Sequence, residues 1–244
     1  MSMPFYVAPD QLMKDRADFA RKGIARGRSV ITARYAGGIV FVAANASHSL
    51  HKVSEIYDRI GFAAVGRYNE FESLRVVGIR YADLRGYSYD RSDVSARGLA
   101  NSYAQLLGAT FSSGAEKPFE VDLAVAEVGE TPGEDKIFRI GFDGTVAEGD
   151  SLLVLGGSAE ALTDKLAAGH DPAAPLPVVL RAAVAALGEL GAAAAGGAQD
   201  VPGAPGVRGV NGVEVALLDR SRPQPRKFVR LDEPALARLL HEES

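Results

Sequence analysis

The sequence has 244 residues, with 27 basic and 31 acidic side chains and a formal net charge of −4, which gives no electrostatic reason to expect nucleic acid or a charged membrane as a partner. It contains no cysteine, which excludes disulfides and thiolate chemistry, and its four histidines lack the spacing of zinc ligands. No apolar run reaches the ~18 residues of a membrane span and no export signal is recognisable, so we expect a soluble cytoplasmic protein without metal or cofactor.

A helix is predicted over residues 9–26. Pro9 is tolerated in a first helical turn, and Asp10 complements the positive end of the helix dipole. Apolar side chains recur at helical spacing on one side and basic side chains on the other: Met13, Ala17, Ala20 and Ile24 against Lys14, Arg16, Arg21 and Lys22. By itself, a basic side of this kind indicates a solvated surface.

Residues 28–45, RSVITARYAGGIVFVAAN, predict two strands joined by a tight turn. Apolar and β-branched residues run on both sides of Ala36-Gly37-Gly38, and the free φ of glycine suits a hairpin. In one large class of hydrolases the first strand opens on a Thr, Ser or Cys whose own free α-amino group is the base, so this residue must be the first of the mature chain. Here the strand begins at Arg28-Ser29, in mid-chain.

The next segment predicts one strand and two helices. Lys52 precedes an apolar run from Ile56 to Val65, which we interpret as a strand. A helix is expected from Asn69, as its N-cap, to about Tyr87, and another from about Val94 to Phe111.

Two glycines and a charged turn mark this helical pair. Gly78 and Gly98 lower helix propensity, so we expect the two helices to approach each other closely there. The charges of Tyr89-Asp90-Arg91, between the helices, suit either contact with another subunit or a helix cap. We favour the cap.

Residues 118–155 change to strand periodicity. Three runs, FEVDLAVAEVG, KIFRIGFDG and SLLVLGG, are separated by Gly, Pro and acidic residues, and Asp143-Gly144 suits a hairpin turn. Gly156-Gly157-Ser158 superficially resembles a phosphate loop, but both glycine-rich nucleotide motifs are missing, so a tight strand-to-helix turn is the better interpretation. Helices are then expected over about 159–168 and 176–190.

The last part of the sequence begins with a change in composition. Residues 191–210 are rich in Gly, Ala and Pro and predict a flexible surface loop, since they bury too little to offset their ordering entropy. Strands from Gly212 to Asp219 and from Phe228 to Leu231 and a helix from about Glu233 are expected to follow. The basic segment between Arg220 and Arg230 has no interleaved aromatic residues, which argues against nucleic-acid binding.

The order of these elements predicts an α+β fold. Strands, helices, strands and helices again suit stacked antiparallel sheets flanked by helices better than alternating βαβ units. No boundary divides the chain into two domains, so we expect one domain over residues 1–244.

The chain also resembles a known family. The blocks RSVITARYAGGIVFVAAN, SLHKVSEIYDRIGFAAVG and NEFESLRVVGIRYADLRGYSYDR are similar to those of 20S proteasome subunits, specifically the actinobacterial α-type subunit. The similarity extends from the opening MSMPFYVAPDQLMKDR to VNGVEVALLDRSRP near the end. It implies a four-layer αββα sandwich of two antiparallel sheets, the fold of N-terminal-nucleophile hydrolases.

The resemblance implies a non-catalytic subunit. Such a chain forms the homo-heptameric outer α-ring, stacks on the β-subunit ring that performs threonine-type proteolysis, and controls the entry of unfolded protein substrates. An activator, either an ATPase or an ATP-independent ring, docks by inserting its C-terminal tails. No nucleic acid or membrane is an expected partner.

The resemblance assigns residues 1–8 to a gate. On general grounds this short apolar segment is a frayed terminus. In proteasome α-rings, however, such tails converge on the axial pore and close it, which makes Pro4, Phe5 and Tyr6 the candidate plug. The Tyr-Asp-Arg motif of archaeal and eukaryotic tails is missing here, so their mode of closure does not carry over.

The resemblance also assigns an activator-docking pocket. A lone lysine is usually a solvated surface charge, but Lys52 matches the catalytic lysine of β-subunits. In α-subunits the corresponding lysine lines a pocket between subunits that receives the C-terminal carboxylate of an activator. An ammonium in a partly desolvated cleft attracts such a carboxylate more strongly than an ammonium in water does. Gly66 is a candidate neighbour.

Two alternative functions are open to test. The chain could be a β-type hydrolase that uses Ser29 or Thr32 as nucleophile beside Lys52. This is disfavoured because residues 9–26 suit a structured helix better than a disposable propeptide, and because Thr32 lies within the strand. A generic metabolic enzyme is disfavoured because no cofactor loop, metal cluster or catalytic dyad is recognisable.

Overall fold

The computed structural model describes residues 9–47, 49–114, 116–195 and 212–241. The helices within these ranges are α1 (Pro9–Ala25), α2 (Tyr68–Ser88), α3 (Ala96–Ser113), α4 (Ala159–Ala167), α5 (Leu176–Ala195) and α6 (Glu233–His241). The strands are β1 (Val30–Tyr35), β2 (Gly38–Ala44), β3 (Val53–Tyr57), β4 (Ile60–Gly66), β5 (Val121–Glu127), β6 (Lys136–Ile140), β7 (Val146–Gly149), β8 (Leu152–Leu155), β9 (Val213–Asp219) and β10 (Phe228–Arg230). Short 3-10 helices span Arg91–Asp93 and Pro132–Glu134.

The strands form two five-stranded antiparallel sheets. The first has the order β10-β9-β2-β1-β8 and the second the order β3-β4-β5-β6-β7. Apolar side chains of both sheets, such as Phe41 and Ala124, form the core between them. Helices α2 and α3 cover the outer face of the second sheet, and α4, α5 and α6 cover that of the first. This arrangement is a four-layer αββα sandwich, so the predicted fold class is confirmed.

The β1–β2 hairpin forms as the sequence predicts. Val30 pairs with Ala43 and Tyr35 with Gly38 across the turn. Gly38 has a φ of 148°, and a Cβ at this position would lie 2.0 Å from the carbonyl oxygen of Leu218 in β9. Every residue of β2 is buried, because neighbouring strands and both faces cover it, which explains the unbroken apolar run.

The run from Ile56 to Val65 was predicted as one strand, and this was wrong. It holds the end of β3, a turn at Asp58-Arg59, and most of β4. Two nitrogens of Arg91 donate hydrogen bonds of 2.6–3.0 Å to the Asp58 carboxylate, so a residue beyond the two strands stabilises this turn. The adjacent acid and base within an apolar run were the available sign of a turn.

The segment 118–155 holds four strands where three were predicted. The additional strand, β7, ends its sheet and buries none of its residues, so it lacks the alternation that marks a half-buried strand. Asp143-Gly144 lies in the turn between β6 and β7, where Gly144 has a φ of 84°. The predicted turn is therefore confirmed.

Helix ends differ from the sequence prediction in two places. Helix α2 begins at Tyr68 with Arg67 as the N-cap, so Asn69 is inside the helix and its predicted role as a cap was wrong. Helix α5 continues to Ala195, so the first five residues of the predicted loop 191–210 are helical; the remainder lies outside the described residues.

The turn between α2 and α3 is closed by a cap. Asp90 accepts a hydrogen bond from the Ser92 nitrogen at 2.9 Å at the start of the 3-10 helix. The predicted capping role of this turn is therefore confirmed.

The predicted close approach of α2 and α3 is also confirmed. The buried Tyr103 hydroxyl of α3 donates to the Leu74 carbonyl of α2 at 3.0 Å. A Cβ on Gly78 would lie 1.9 Å from that hydroxyl oxygen, and a Cβ on Gly98 would lie 3.0 Å from the Tyr81 hydroxyl. Glycine is therefore needed at position 78 for contact, at the expense of helix propensity.

We predict that Gly78→Ala lowers the free energy of unfolding by about 1–3 kcal/mol, the usual effect of overpacking a core. Urea unfolding measures it. Gly133→Ala is the control, because a Cβ there meets no atom within 4 Å. In the Tyr103→Phe background the effect should shrink, since the nearest clashing atom is removed. Equal stability of Gly78→Ala and the wild type would contradict the packing account.

Candidate functional site

Lys52 is held by its backbone at the beginning of β3. Its nitrogen donates to the Glu214 carboxylate at 2.9 Å, and its carbonyl accepts a hydrogen bond from Ala64 of β4 at 3.1 Å. These bonds attach Lys52 to β9 of one sheet and β4 of the other. Its position is therefore set by both sheets of the sandwich.

The Lys52 ammonium lies half-buried beside the segment between α1 and β1. Its Nζ donates to the Arg28 carbonyl at 2.7 Å. Burial, reinforced by the nearby Arg28 charge and opposed by Glu214, lowers the pKa of Lys52 to about 8. An incompletely compensated ammonium of this kind gains from an added carboxylate.

Gly66 ends β4 on the same side of the sandwich. Its φ is 124°, and a Cβ there would lie 1.9 Å from the carbonyl oxygen of Glu120. Its nitrogen also lies next to Gly27, where a Cβ would approach to 3.2 Å. Lys52 and Gly66 thus both border the Gly27–Arg28 segment. Both predicted pocket residues therefore lie next to one segment, and their role in docking stays a prediction.

Glu214 positions this site and was missed by the sequence analysis. Its carboxylate is buried, yet it accepts from the nitrogens of Lys52 and Val53, from the side chain of Asn45 and from Arg230. A buried carboxylate needs such partners to offset its desolvation. An acid within the apolar strand VEVALLD was the signal that could have found it.

Glu120 connects Gly66 to α1. Its carbonyl accepts from the Arg67 nitrogen at 3.0 Å, and its buried carboxylate contacts Arg67 and Lys117 at 3.1 and 2.8 Å. A Cβ on Gly23 of α1 would overlap this carboxylate at 2.0 Å. The C-terminal end of α1 therefore lies directly on the ion pairs beside Gly66.

Arg16 fastens the middle of α1 to the end of α3. Although the sequence pattern placed Arg16 on a solvated basic side, the residue is only 8% exposed, which contradicts that expectation. Its guanidinium donates to the carbonyls of Thr110, Phe111 and Glu116 at 2.9, 3.0 and 2.7 Å. The first two carbonyls lie in the last turn of α3, where intrahelical donors are lacking, and the third follows the helix. Helix α1 is thus an integral part of the sandwich.

The alternative nucleophiles lie in settings unlike that of an N-terminal residue. The Ser29 nitrogen forms the peptide bond to Arg28, and the carbonyl of that peptide accepts the Lys52 ammonium. Thr32 is completely buried, between Phe41 of β2 and Leu153 of β8 in the sheet register. Among the residues that the structure describes, its hydroxyl has no hydrogen-bond partner.

The sequence also predicts no metal ion and no membrane span, and the resemblance places a gate in residues 1–8. Within the described ranges no group of three or more His, Cys, Asp or Glu side chains is placed to hold a metal ion. None of the helices in these ranges has both the length and the apolar character of a membrane span. The predicted gate, Pro4, Phe5 and Tyr6, lies outside the described residues.

Comparison with known proteins decides the family. The family model described as proteasome subunit matches residues 24–199, which include the hairpin, Lys52 and Gly66. The chain belongs to the proteasome subunit family. This agrees with the antiparallel sandwich, which is the fold that the resemblance implied.

Similar proteasome subunits indicate the α type. The chain is 57% identical over 240 residues to the proteasome subunit alpha of Kineococcus radiotolerans, covering 98% of each protein. It is 55% identical over 242 residues to that of a Nocardioides species, covering 99% of this chain and 91% of the relative. For the subunit from Thermobifida fusca the identity is 52% over 242 residues, covering 99% and 92%. The resemblance to the actinobacterial α-type subunit is therefore confirmed.

Proposed function

We propose that this chain is a non-catalytic α-subunit of the 20S proteasome core, which forms homo-heptameric outer rings on a β-subunit ring. In this role it controls the entry of unfolded proteins and docks ATPase or ATP-independent activators. The observation that carries the proposal is 52–57% identity to proteins named proteasome subunit alpha over nearly the whole chain. The absence of cysteine fits a reducing cytoplasm.

The anchoring of α1 supports a non-catalytic role. Use of Ser29 as an N-terminal nucleophile would require cleavage after Arg28 and loss of α1. Such a loss would remove Arg16 and expose three carbonyls at the end of α3. It would also uncover the Glu120 carboxylate that lies against Gly23. A segment with these contacts is suited to stay attached.

The proposed gate is continuous with this anchored helix. Residues 1–8 lead directly into α1, whose position is fixed by Arg16 and by the contact of Gly23 with Glu120. In a ring, the copies of Phe5 and Tyr6 would be delivered to a common axis. Apolar tails that meet there would bury surface against each other and obstruct the pore.

The proposed docking pocket uses the Lys52 ammonium as its charged group. An activator carboxylate next to Nζ would compensate the charge that burial and Arg28 destabilise. Gly66 borders the same Gly27–Arg28 segment that holds this ammonium. This arrangement suits capture of a chain terminus.

The first experiment tests the proposed function directly. Native mass spectrometry and fluorogenic peptide hydrolysis are measured for the chain alone and after mixing with a β-type partner. We expect peptide hydrolysis only in the large mixed assembly, with residues 1–28 retained on the subunit by intact mass. Hydrolysis by the isolated chain, or a mature N-terminus at Ser29, would show a catalytic subunit.

Deletion of residues 2–8 tests the gate. We expect the assembled particle to hydrolyse small peptides several times faster, because the apolar plug is gone and the catalytic ring is unchanged. Replacement of the same residues by a flexible Gly-Ser segment of equal length is the matched control for tail length. Unchanged turnover in a particle of normal mass would count against a gate.

Replacement of Lys52 tests the docking pocket. Lys52→Ala should weaken stimulation by a C-terminal-tail activator about tenfold or more, since a hydrogen bond to a charged group is worth about 1.5–3 kcal/mol. Basal peptide hydrolysis should stay similar. Lys22→Ala is the control for loss of one lysine, because Lys22 is exposed on α1. Full stimulation of Lys52→Ala would remove Lys52 from the pocket.

The pH dependence of the same stimulation follows from the Lys52 pKa. Only the ammonium attracts a carboxylate, and the unliganded pKa is about 8, so the ratio of stimulated to basal hydrolysis should fall as pH rises through about 8. Lys52→Arg stays charged in this range and should flatten the profile. A wild-type ratio that is flat from about pH 7 to about pH 9 would contradict this assignment.

A further inference from the structure

One side of the sandwich exposes a basic edge, formed by β3, β10 and the segment before β10. β3 ends one sheet and β10 ends the other, and Arg230 links them by donating to the Val53 carbonyl at 2.7 Å. A cavity of about 480 Å³ opens between them. Four arginines line it, together with Phe228 and Val229: Arg75, Arg222, Arg226 and Arg230.

The basic edge keeps a net positive charge. Arg75, Arg226 and Arg230 pair with the carboxylates of Glu72, Glu55 and Glu214, respectively. Arg222 donates instead to the carbonyl of Phe228 at 2.7 Å, and Lys227 donates to two further carbonyls. Because the three ion pairs are neutral, the charges of Arg222 and Lys227 give the basic edge its net positive charge.

The opposite side of the sandwich exposes an acidic edge, formed by β7, β8 and α4. β7 and β8 are the other two terminal strands of the sheets. A cavity of about 530 Å³ follows the apolar Leu152 and Leu153 of β8 to Glu160 and Asp164 of α4. Both carboxylates are exposed, as are those of Glu148 and Asp150 nearby.

The acidic edge keeps a net negative charge. Its Arg139 is held by two hydrogen bonds, of 3.0 and 2.7 Å, to the buried carboxylate of Asp122. Lys136 pairs with Glu148 at 3.2 Å. Asp150, Glu160 and Asp164 therefore exceed the local basic charges.

From this geometry we propose that the basic edge of one copy binds the acidic edge of the next copy, an inference that rests on the proposed ring. A ring needs a heterologous interface, in which two different surfaces of the same chain are complementary. These edges lie on opposite sides, carry opposite charges, and each contains an apolar strip beside its charged groups. The expected contact places Arg222 and Arg226 opposite Glu160 and Asp164.

The location of Lys52 gives this interface a second support. Lys52 directly precedes β3, and the Glu214 carboxylate that accepts its nitrogen also binds Arg230 of the basic edge. A neighbour seated on β3 and β10 would therefore contact the strand that directly follows Lys52, so the interface would adjoin the proposed docking pocket.

Charge reversal on each edge tests the interface. The basic-edge variant is Arg222→Glu with Arg226→Glu, and the acidic-edge variant is Glu160→Arg with Asp164→Arg. A fourfold variant carries all four changes. Arg97→Glu, at an exposed position of α3, is a control outside both edges. Each chain is mixed with the β-type partner, and native mass spectrometry measures the assembled fraction.

Each single-edge variant should reduce the assembled fraction about tenfold or more, measured near the concentration at which half of the wild-type chain assembles, because like charges then face each other. The fourfold variant should regain most of the assembly, and Arg97→Glu should behave as the wild type. Reductions in both single-edge variants without recovery in the fourfold variant, or no reduction at all, would overturn the edge pairing.

Two measurements separate this result from failure of folding or of the proposed function. Circular dichroism and thermal unfolding identify a variant that does not fold; in that case the salt dependence of wild-type assembly decides, with weakening at high ionic strength expected and insensitivity contradicting the pairing. A wild-type chain that never assembles with any β-type partner would instead refute the ring itself.

Discussion

The buried carboxylate of Glu214 is the interaction on which the site depends. It projects from β9 of one sheet and accepts hydrogen bonds from Lys52 and Val53 at the beginning of β3, in the other sheet. Removing a partner of such a buried carboxylate destabilises the fold, because no solvent is present to replace the lost hydrogen bond. The two sheets are thus held together at one corner by polar bonds, while apolar burial holds them elsewhere. Lys52 inherits its place from this corner.

The same corner shows how one fold serves two purposes. In an N-terminal-nucleophile hydrolase, the first strand opens on a residue whose own free α-amino group is the base. Here the Lys52 ammonium binds the carbonyl of the Arg28–Ser29 peptide, and α1 occupies the space ahead of it. Arg16 and the contact of Gly23 with Glu120 keep that helix in place. The proposed docking role makes use of this half-buried ammonium.

Assembly gives the open sides of the sandwich a purpose. A two-sheet sandwich ends in four terminal strands, and unprotected strand edges are a liability in a soluble monomer. In this chain the two edges differ in charge, with arginines along β10 and carboxylates along α4. Opposite charges on opposite sides favour addition of copies in one direction and disfavour the pairing of like edges. The polarity of a ring would then follow from the charge pattern of a single chain.

The sequence by itself determined the fold class, the family, the β1–β2 hairpin, the close helix approach at Gly78 and the place of Lys52 before β3. The hairpin and the helix approach follow from local pattern, since apolar periodicity and glycine positions act over a few residues. The family follows from the resemblance of whole sequence blocks. It did not determine the turn at Asp58-Arg59, the edge strand β7, or the roles of Arg16 and Glu214. Arg16 looked like a solvated base, and Glu214 was one acid in an apolar strand. Only the tertiary structure decided their partners, because most of the groups that satisfy these two buried charges come from segments 94 to 169 residues away.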